Sequence, residues 1–440
     1  MSGLKKPART AGADYEDSLM RDGLSNPLPW PIYKAIQALV WLLEYLLRRL
    51  TPPPIRMMKE SWRGYDSAAL GTIAHCGVAD ELRNGPLSAG QIAHNLGLRK
   101  DDLYTMLRLL VNNGIFEALP GKPTLFRNNA MSATLREGHP TRMRYWCTVS
   151  QYWRCMYEQD TMQQYLRTAD PDAASELTLL ERSLGKPFWK HLQDTPGLDA
   201  AFAAAMSDQS NGLHGGLAVL ADYDWSSYSR MIDFGGGPGT VLEAVLRAHP
   251  QMQGVLFDQP QVVKETADLW QAKNDSRSLM SRVAFVEGNF FKPGTLPRGK
   301  DGDLYHLRHI CHDWSDDAAV NLLQSLRRAI GPARAMLVLT EMVITNEFGG
   351  RSTDRMAAAY DVMMRFLFHG KERSLEAWRA LLDQGGFHLL RLREIRNSFS
   401  CIIELPQPCY GLGKGRPALN TLQHASNSQQ LIQPTQLLLL

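Results

Sequence analysis

Met231-Ile-Asp-Phe-Gly-Gly-Gly-Pro-Gly-Thr240 constrains the fold more than any other stretch of the chain. An apolar run around one acid leads into a glycine cluster, and a helical pattern follows over Val241–Ala248. The spacing predicts a buried strand, a tight turn and a helix start, the place where an open α/β sheet receives a nucleotide-like ligand. Glycines there let backbone N–H groups approach the ligand where no Cβ is tolerated. A dinucleotide fingerprint would carry Gly or Ala at the position of Thr240, and Pro238 also interrupts the loop. The pattern therefore fits pyrophosphate poorly and S-adenosylmethionine well. A second apolar run, Gly254-Val-Leu-Phe-Asp258, ends in a carboxylate about 23 residues after Gly235. At that spacing in a doubly wound sheet, the acid accepts hydrogen bonds from ribose hydroxyls.

At 440 residues the chain is long enough for two or three domains. A formal charge of +3 at this size demands neither nucleic acid nor an acidic surface as partner. Six scattered cysteines without a C-x-x-C pair point to a reducing, cytoplasmic setting and to no zinc site. The segment after Met1 lacks the apolar core of a signal peptide.

Residues 1–28 are polar and expected to be flexible. Pro31–Leu50 is mostly apolar, with Lys34, Gln37, Glu44 and Arg48 as a narrow polar stripe at helical spacing. Its polar residues argue against a transmembrane span, leaving a dimer-interface helix or a helix making peripheral contact with a membrane. Pro52-Pro-Pro54 ends it. Within 29–215, Leu87–Leu98 reads as a helix with a Gly turn, and a second helix over Asp101–Val111 carries Asp101 near its N-cap. Ile115–Leu119 then reads as the first strand of a wing. This is a winged helix-turn-helix pattern, but the second helix has Asp101, Asp102 and only Arg108 where a DNA-reading helix gathers cations. Dimerisation or covering a substrate fits better, with a DNA-binding regulator as the non-enzyme alternative. Aromatic residues from 140 to 215 suit a core, and some could line a pocket shared between domains.

From 216 to 405 strands and helices alternate. Strands are predicted at Met231–Phe234, Val255–Phe257, Val283–Glu287, Leu304–Leu307 and Met336–Thr340, with helices near Val241–Ala248, Val262–Trp270, Asp316–Ala329 and Leu375–Gln384. A closing hairpin over His388–Ile395 and Phe399–Leu405 gives a mostly parallel, Rossmann-like sheet with an antiparallel last strand. The tail 406–440 has the composition of a disordered segment.

Tyr305-His-Leu-Arg-His-Ile-Cys-His-Asp-Trp-Ser-Asp-Asp317 follows the fourth strand, where side chains face the ligand crevice. His312 is suited to taking a proton near neutrality. Glu341 closes the fifth strand and Glu372 follows a Gly-Lys pair, so both reach a common cleft. A carboxylate bonded to one imidazole nitrogen would fix the tautomer and raise the basicity of the other. His306, His309 and His312 do not suggest a metal, because alternate strand residues face opposite sides.

With these runs assembled, the chain resembles the caffeate and acetylserotonin type of S-adenosylmethionine-dependent O-methyltransferase over roughly 61–405. The matching runs are Asp233-Phe-Gly-Gly-Gly-Pro-Gly239, Phe257-Asp-Gln-Pro260, Glu287-Gly-Asn-Phe-Phe291, His312-Asp-Trp-Ser-Asp316, Asp361-Val-Met-Met364 and Gly370-Lys-Glu-Arg-Ser374. The resemblance implies a class I methyltransferase domain behind a winged-helix dimerisation domain, a homodimer, and a small-molecule methyl acceptor. It implies cofactor contacts at Asp233, Gly235, Gly237, Asp258, Gln259, Gly288, Asn289, Phe290 and Arg308. His312 falls at the general base, flanked by Glu341 and Glu372, with Asp313, Trp314, Met363 and Met364 toward the substrate. Asn289 stands where the family usually has Asp, and Arg308 where Lys is common. The acceptor is expected to be a lipophilic or phenolic hydroxyl compound. Alternatives within the enzymes are methylation of a small thioether acid, or retention of the cofactor for another reaction.

Overall fold

A computed structural model of the chain describes residues 18–20, 27–149, 158–167, 177–212, 218–344 and 352–406. The expected flexible N-terminus (but for a few residues) and the expected disordered tail (but for Pro406) lie outside the described residues. Helix α1 (Trp30–Leu50) is followed by α2 (Pro53–His75). The proline triplet both ends α1 and opens α2: Pro53 and Pro54 occupy its first positions, where no helical N–H is required. Strand β1 (Leu87–Ser88), α3 (Ala89–Leu96), α4 (Lys100–Asn112), β2 (Glu117–Leu119) and β3 (Lys122–Arg127) form the winged unit, with sheet order β1-β3-β2.

One local expectation is corrected by the structure. Leu87 and Ser88 are strand rather than helix, because Ser88 is the N-cap of α3 in a capping box with Gln91. Asp101 lies in the first turn of α4, near the cap position taken by Arg99, as expected. Gly97, at positive φ, closes α3 as the sequence suggested.

Helices α5 (Arg144–Val149) and α6 (Leu198–Gly212) pack together and lead into the sheet domain. There the strands are β4 (Arg230–Phe234), β5 (Gln253–Asp258), β6 (Val283–Glu287), β7 (Asp303–Arg308), β8 (Met336–Ile344), β9 (Arg373–Ser374), β10 (Arg391–Glu394) and β11 (Ser400–Pro406). Their order is β10-β11-β8-β7-β4-β5-β6, with the short β9 beside β8. β4 to β8 are parallel, and β11 runs antiparallel between β8 and β10, as predicted.

Side-chain alternation explains the layers. Ile232, Phe234, Tyr305, Leu307, Leu337 and Leu339 face one core together with Leu322 and Leu382. Met231, Leu256, Leu304 and Val338 face the other, packed by Leu242, Val245 and Trp270. These partners come from α7 (Thr240–Ala248) and α8 (Pro260–Ala272) on the second face, and from α9 (Asp316–Ile330) and α11 (Leu375–Gly385) on the first. The long helix α10 (Ser352–Leu367) was not among the expected elements. Chain order reverses at β4, whose neighbours are β5 and β7. The carboxyl ends of the strands beside that reversal are where such sheets bind ligands.

Candidate active site

The glycine loop leaves β4 at that reversal. Gly235 has φ +65, and a Cβ there would lie 2.4 Å from Ile310 Cδ1. A side chain at this position would therefore be strained twice, by backbone conformation and by contact. The N–H of Gly237 donates to Asp258 Oδ2 at 3.0 Å, and Gln259 N–H donates to Asp258 Oδ1 at 2.7 Å. Burial raises the Asp258 carboxyl above its usual range, while these two donors pull it back. Gln259 itself is the exposed N-cap of α8.

Gly288 lies against Phe257, which a Cβ would meet at 2.5 Å. Asn289 uses its amide oxygen locally, accepting from Phe291 N–H at 2.8 Å. One lone pair on that oxygen remains for a ligand donor. Phe290 packs beside Phe257 and approaches the Gly235 position.

A chamber of about 310 Å³ joins the glycine loop to the predicted chemistry. Asp233, Gly235, Gly237, Arg308, His312, Asp313, Met363 and Met364 all line it, so one cavity gathers most of the expected site. Arg308 reaches it from the end of β7. Burial lowers its guanidinium pKa, against the opposing pull of Asp233 and Tyr360. Trp314 is not among the lining residues. Its ring packs edge-on against Phe291 at 4.8 Å, and its carbonyl accepts from Arg373. Asp258, Gln259, Gly288, Asn289 and Phe290 flank the loop without lining this chamber.

His312 sits in a short turn, Cys311–Asp313, just beyond β7. Its Nδ1 shares a hydrogen bond with buried Glu372 Oε1 at 2.8 Å, which holds the ring in one tautomer. Nε2 lies 3.5 Å from Asp313 Oδ1, and the ring stacks over Tyr360 at 6.0 Å. The loop is clamped from behind. Lys371 N–H donates to His312 O at 2.9 Å, and a Cβ on Gly370 would lie 2.3 Å from that oxygen. Buried Arg373 ties the same loop through Cys311 O, Trp314 O and Asp316.

Glu341 is fully buried on β8, and its Oε1 accepts from the N–H groups of Cys311 (2.8 Å) and Ile310 (3.2 Å). Its Oε2 has no hydrogen-bond partner and stands 4.0 Å from both His312 Nδ1 and His309 Nδ1. Burial pushes Glu341 up to about 7, against the pull of His312. His312 moves the other way from what burial would dictate. Burial lowers it, but Asp313, Glu372 and Glu341 together raise it to about 10.

Strand alternation does not separate His309 from His312. β7 ends at Arg308, and His309 adopts φ +53, which turns the chain out of the strand. The two rings lie 5.1 Å apart, and ligand atoms of His309, His312 and Glu341 fall within 4.8 Å of one another. His306 does stay apart, as expected. It is buried within the sheet, bonded to Asp233 Oδ1 (2.9 Å) and Thr340 Oγ1 (3.0 Å).

The chamber also has walls beyond the residues given a site role from the sequence. Trp146 comes from α5, Phe202, Met206, Gln209 and Ser210 from α6, and Tyr360 from α10. The aromatic content of 140–215 was the available signal, and Trp146 and Phe202 are two of the residues it flagged.

Residues 63–138 match the O-methyltransferase dimerisation domain, and residues 164–388 match the O-methyltransferase domain. The mitomycin biosynthesis 6-O-methyltransferase of Streptomyces lavendulae is 30% identical over 342 residues, covering 76% of this chain and 88% of that protein. The crystal structure of the O-methyltransferase NcsB1 from neocarzinostatin biosynthesis, in complex with S-adenosylmethionine and 2-hydroxy-5-methyl naphthoic acid, superposes with a TM-score of 0.59. It is 27% identical and covers 78% of this chain and 96% of that one. Human N-acetylserotonin methyltransferase, at 22% identity, shares the fold, with a TM-score of 0.67 over 81% of this chain and 99% of that one. Thioether methylation, retention of the cofactor for another reaction and duplex binding gain no support from these relatives. A reversing parallel sheet, a glycine loop at its switch point and an acid-flanked histidine in the same chamber agree with both domain matches: the chain belongs to the S-adenosylmethionine-dependent O-methyltransferase family.

Proposed function

We propose that this chain transfers a methyl group from S-adenosylmethionine to the hydroxyl of a small, flat, apolar metabolite, with His312 as the general base. The observation that carries this reading is the position of His312, locked through Nδ1 to Glu372 and lining the chamber that the glycine loop opens into. The donor fits the residues present: Gly235–Pro238 expose backbone rather than bulky side chains, and Asp258 caps the loop with a partly buried carboxylate. Asp233, Gly235, Gly237, Asp258, Gln259, Gly288, Asn289, Phe290 and Arg308 would hold it. When bound, it supplies a methyl group already activated on a sulfonium.

The chain's own work is then alignment and removal of one proton. Trp146, Phe202, Met206, Met363, Met364 and Phe368 give the chamber apolar walls that hold an aromatic ring and exclude water. A phenolic hydroxyl titrates near 10, so a proton passes between it and an imidazole raised to about 10 at little cost. In the complex, the imidazole would be pushed back down by the donor's positive charge, toward the neutral form a base requires. Glu372 holds the ring, and Glu341 anchors the turn on which it sits. The naphthoic acid held by NcsB1 bears a hydroxyl on a fused ring, which supports this class of acceptor.

The domain division follows the same reading: 29–215 for dimerisation and covering the substrate, 216–405 for the donor and the chemistry. A homodimer is expected from the matched dimerisation domain. The described cysteines Cys76, Cys147, Cys311 and Cys401 are free thiols, consistent with work in the cytoplasm. The test is to incubate the enzyme with methyl-labelled donor and a panel of hydroxylated aromatic compounds, then locate the label by mass spectrometry. Label on an oxygen of an aromatic acceptor is the expected result. Label on sulfur, or no transfer to any panel member, would overturn it.

A further inference from the structure

Helix α1 is amphipathic in the reverse sense to an ordinary surface helix. Its polar stripe, Gln37, Glu44 and Arg48 with Tyr33 and Trp41, is the partly covered side. Its apolar face, Ile36, Leu39, Leu43, Leu46, Leu47 and Leu50, is exposed. Water gains nothing from this arrangement, and an apolar stripe of this width normally faces a core or a surface that receives it. The orientation is fixed by anchors at the start of the helix. Lys34 pairs with Glu394, Arg396 stacks over Trp30 at 5.1 Å and donates to Leu28 O, and Tyr33 Oη accepts from Asn397 N–H. The start of α2 continues the pattern, exposing Ile55, Met58, Trp62 and Tyr65 at successive turns of one face.

Charge identifies the occupant. Residues 30–65 carry six Lys and Arg against Glu44 and Glu60, more net positive charge than the +3 of the whole chain. Arg48, Arg49, Arg56 and Lys59 have no acidic partner among the described residues. The positive excess disfavours packing two copies of this patch directly on each other. The matched dimerisation domain begins at residue 63, beyond all of α1. No helix among the described residues is long and apolar enough to cross a membrane. Exposed leucines beside the exposed cations Arg49, Arg56 and Lys59, with Trp62 at the margin, match the chemistry of an anionic lipid surface.

We propose that α1 and the first turns of α2 form a docking face that lies flat on anionic lipid bilayers. This goes beyond the catalytic reading and does not depend on it. The test is flotation of the full chain with phosphatidylcholine vesicles, with and without phosphatidylglycerol, alongside light scattering without vesicles. The chain floats with the anionic vesicles and not with the neutral ones, and raised salt releases it. Leu43→Glu with Leu47→Glu lowers vesicle affinity by about tenfold or more. Arg49→Gln with Arg56→Gln, which leaves the leucines in place, lowers affinity for anionic vesicles by about tenfold or more. Absence of flotation with anionic vesicles would overturn the proposal. So would glutamates at 43 and 47 that halve the mass in solution and leave flotation unchanged, which would make the face a contact with a second copy. Circular dichroism of each variant confirms that a lost signal is not lost folding, and turnover on a soluble acceptor reads the catalytic proposal separately.

Discussion

His306 and His312 lie six residues apart and are both buried, yet the sheet treats them as different kinds of residue. His306 sits inside β7 with both ring nitrogens occupied, one by Asp233 and one by Thr340. His312 sits one turn past the strand's end, with Nδ1 held by Glu372 and its ring at the wall of the chamber. A buried imidazole with two protein partners is framework. One with a single firm partner and a cavity beside it is equipped to move a proton.

Breaking the second arrangement has the largest expected effect on turnover. His312→Ala lowers kcat by about 10²-fold or more while the donor still binds, measured by steady-state kinetics and by calorimetry with the donor. Near-normal turnover in that variant would remove His312 from the chemistry. Gly370→Ala follows, because its new methyl must displace His312 O and with it the base. We expect a loss of about tenfold or more in kcat, since small misplacements of a reacting group are costly.

Glu372→Gln sharpens the comparison through pH. The neutral imidazole is the active form, so activity rises with pH toward the raised value of about 10 in the free enzyme. Removing one of the carboxylates that raise it moves this rising limb of kcat/KM to lower pH and lowers the plateau several-fold. A limb that stays put, or moves alkaline, contradicts the assigned role of Glu372. His306→Ala has the smallest effect on turnover and acts elsewhere. It strands Asp233 and Thr340 inside the sheet, lowering stability by about 1–3 kcal/mol in denaturant titration, with kcat changed less than about threefold.

The same pair of histidines explains what could be read in advance. β4 to β8, the glycine loop, Asp258 and His312 are local patterns: period-two apolar runs, a glycine cluster and an acid at a strand's end. Each can be found within a dozen residues of sequence. The chamber's far wall could be read only in outline, as an aromatic stretch able to line a shared pocket, because packing alone decides that Trp146, Phe202 and Met206 come over the loop. Trp314 was hard to place for a related reason. It adjoins the base in sequence, but the turn at Cys311–Asp313 sends its ring to Phe291 instead. His309 joined His312 because a left-handed residue cancels strand alternation, and no sequence rule announces φ +53 at a histidine.

Gly370 gives the molecule an unusual vulnerability. The backbone that steadies the proton acceptor rests on a residue defined by what it lacks, so any side chain introduced there becomes a wedge. In a saturation screen, that position should tolerate as little variation as the histidine it supports.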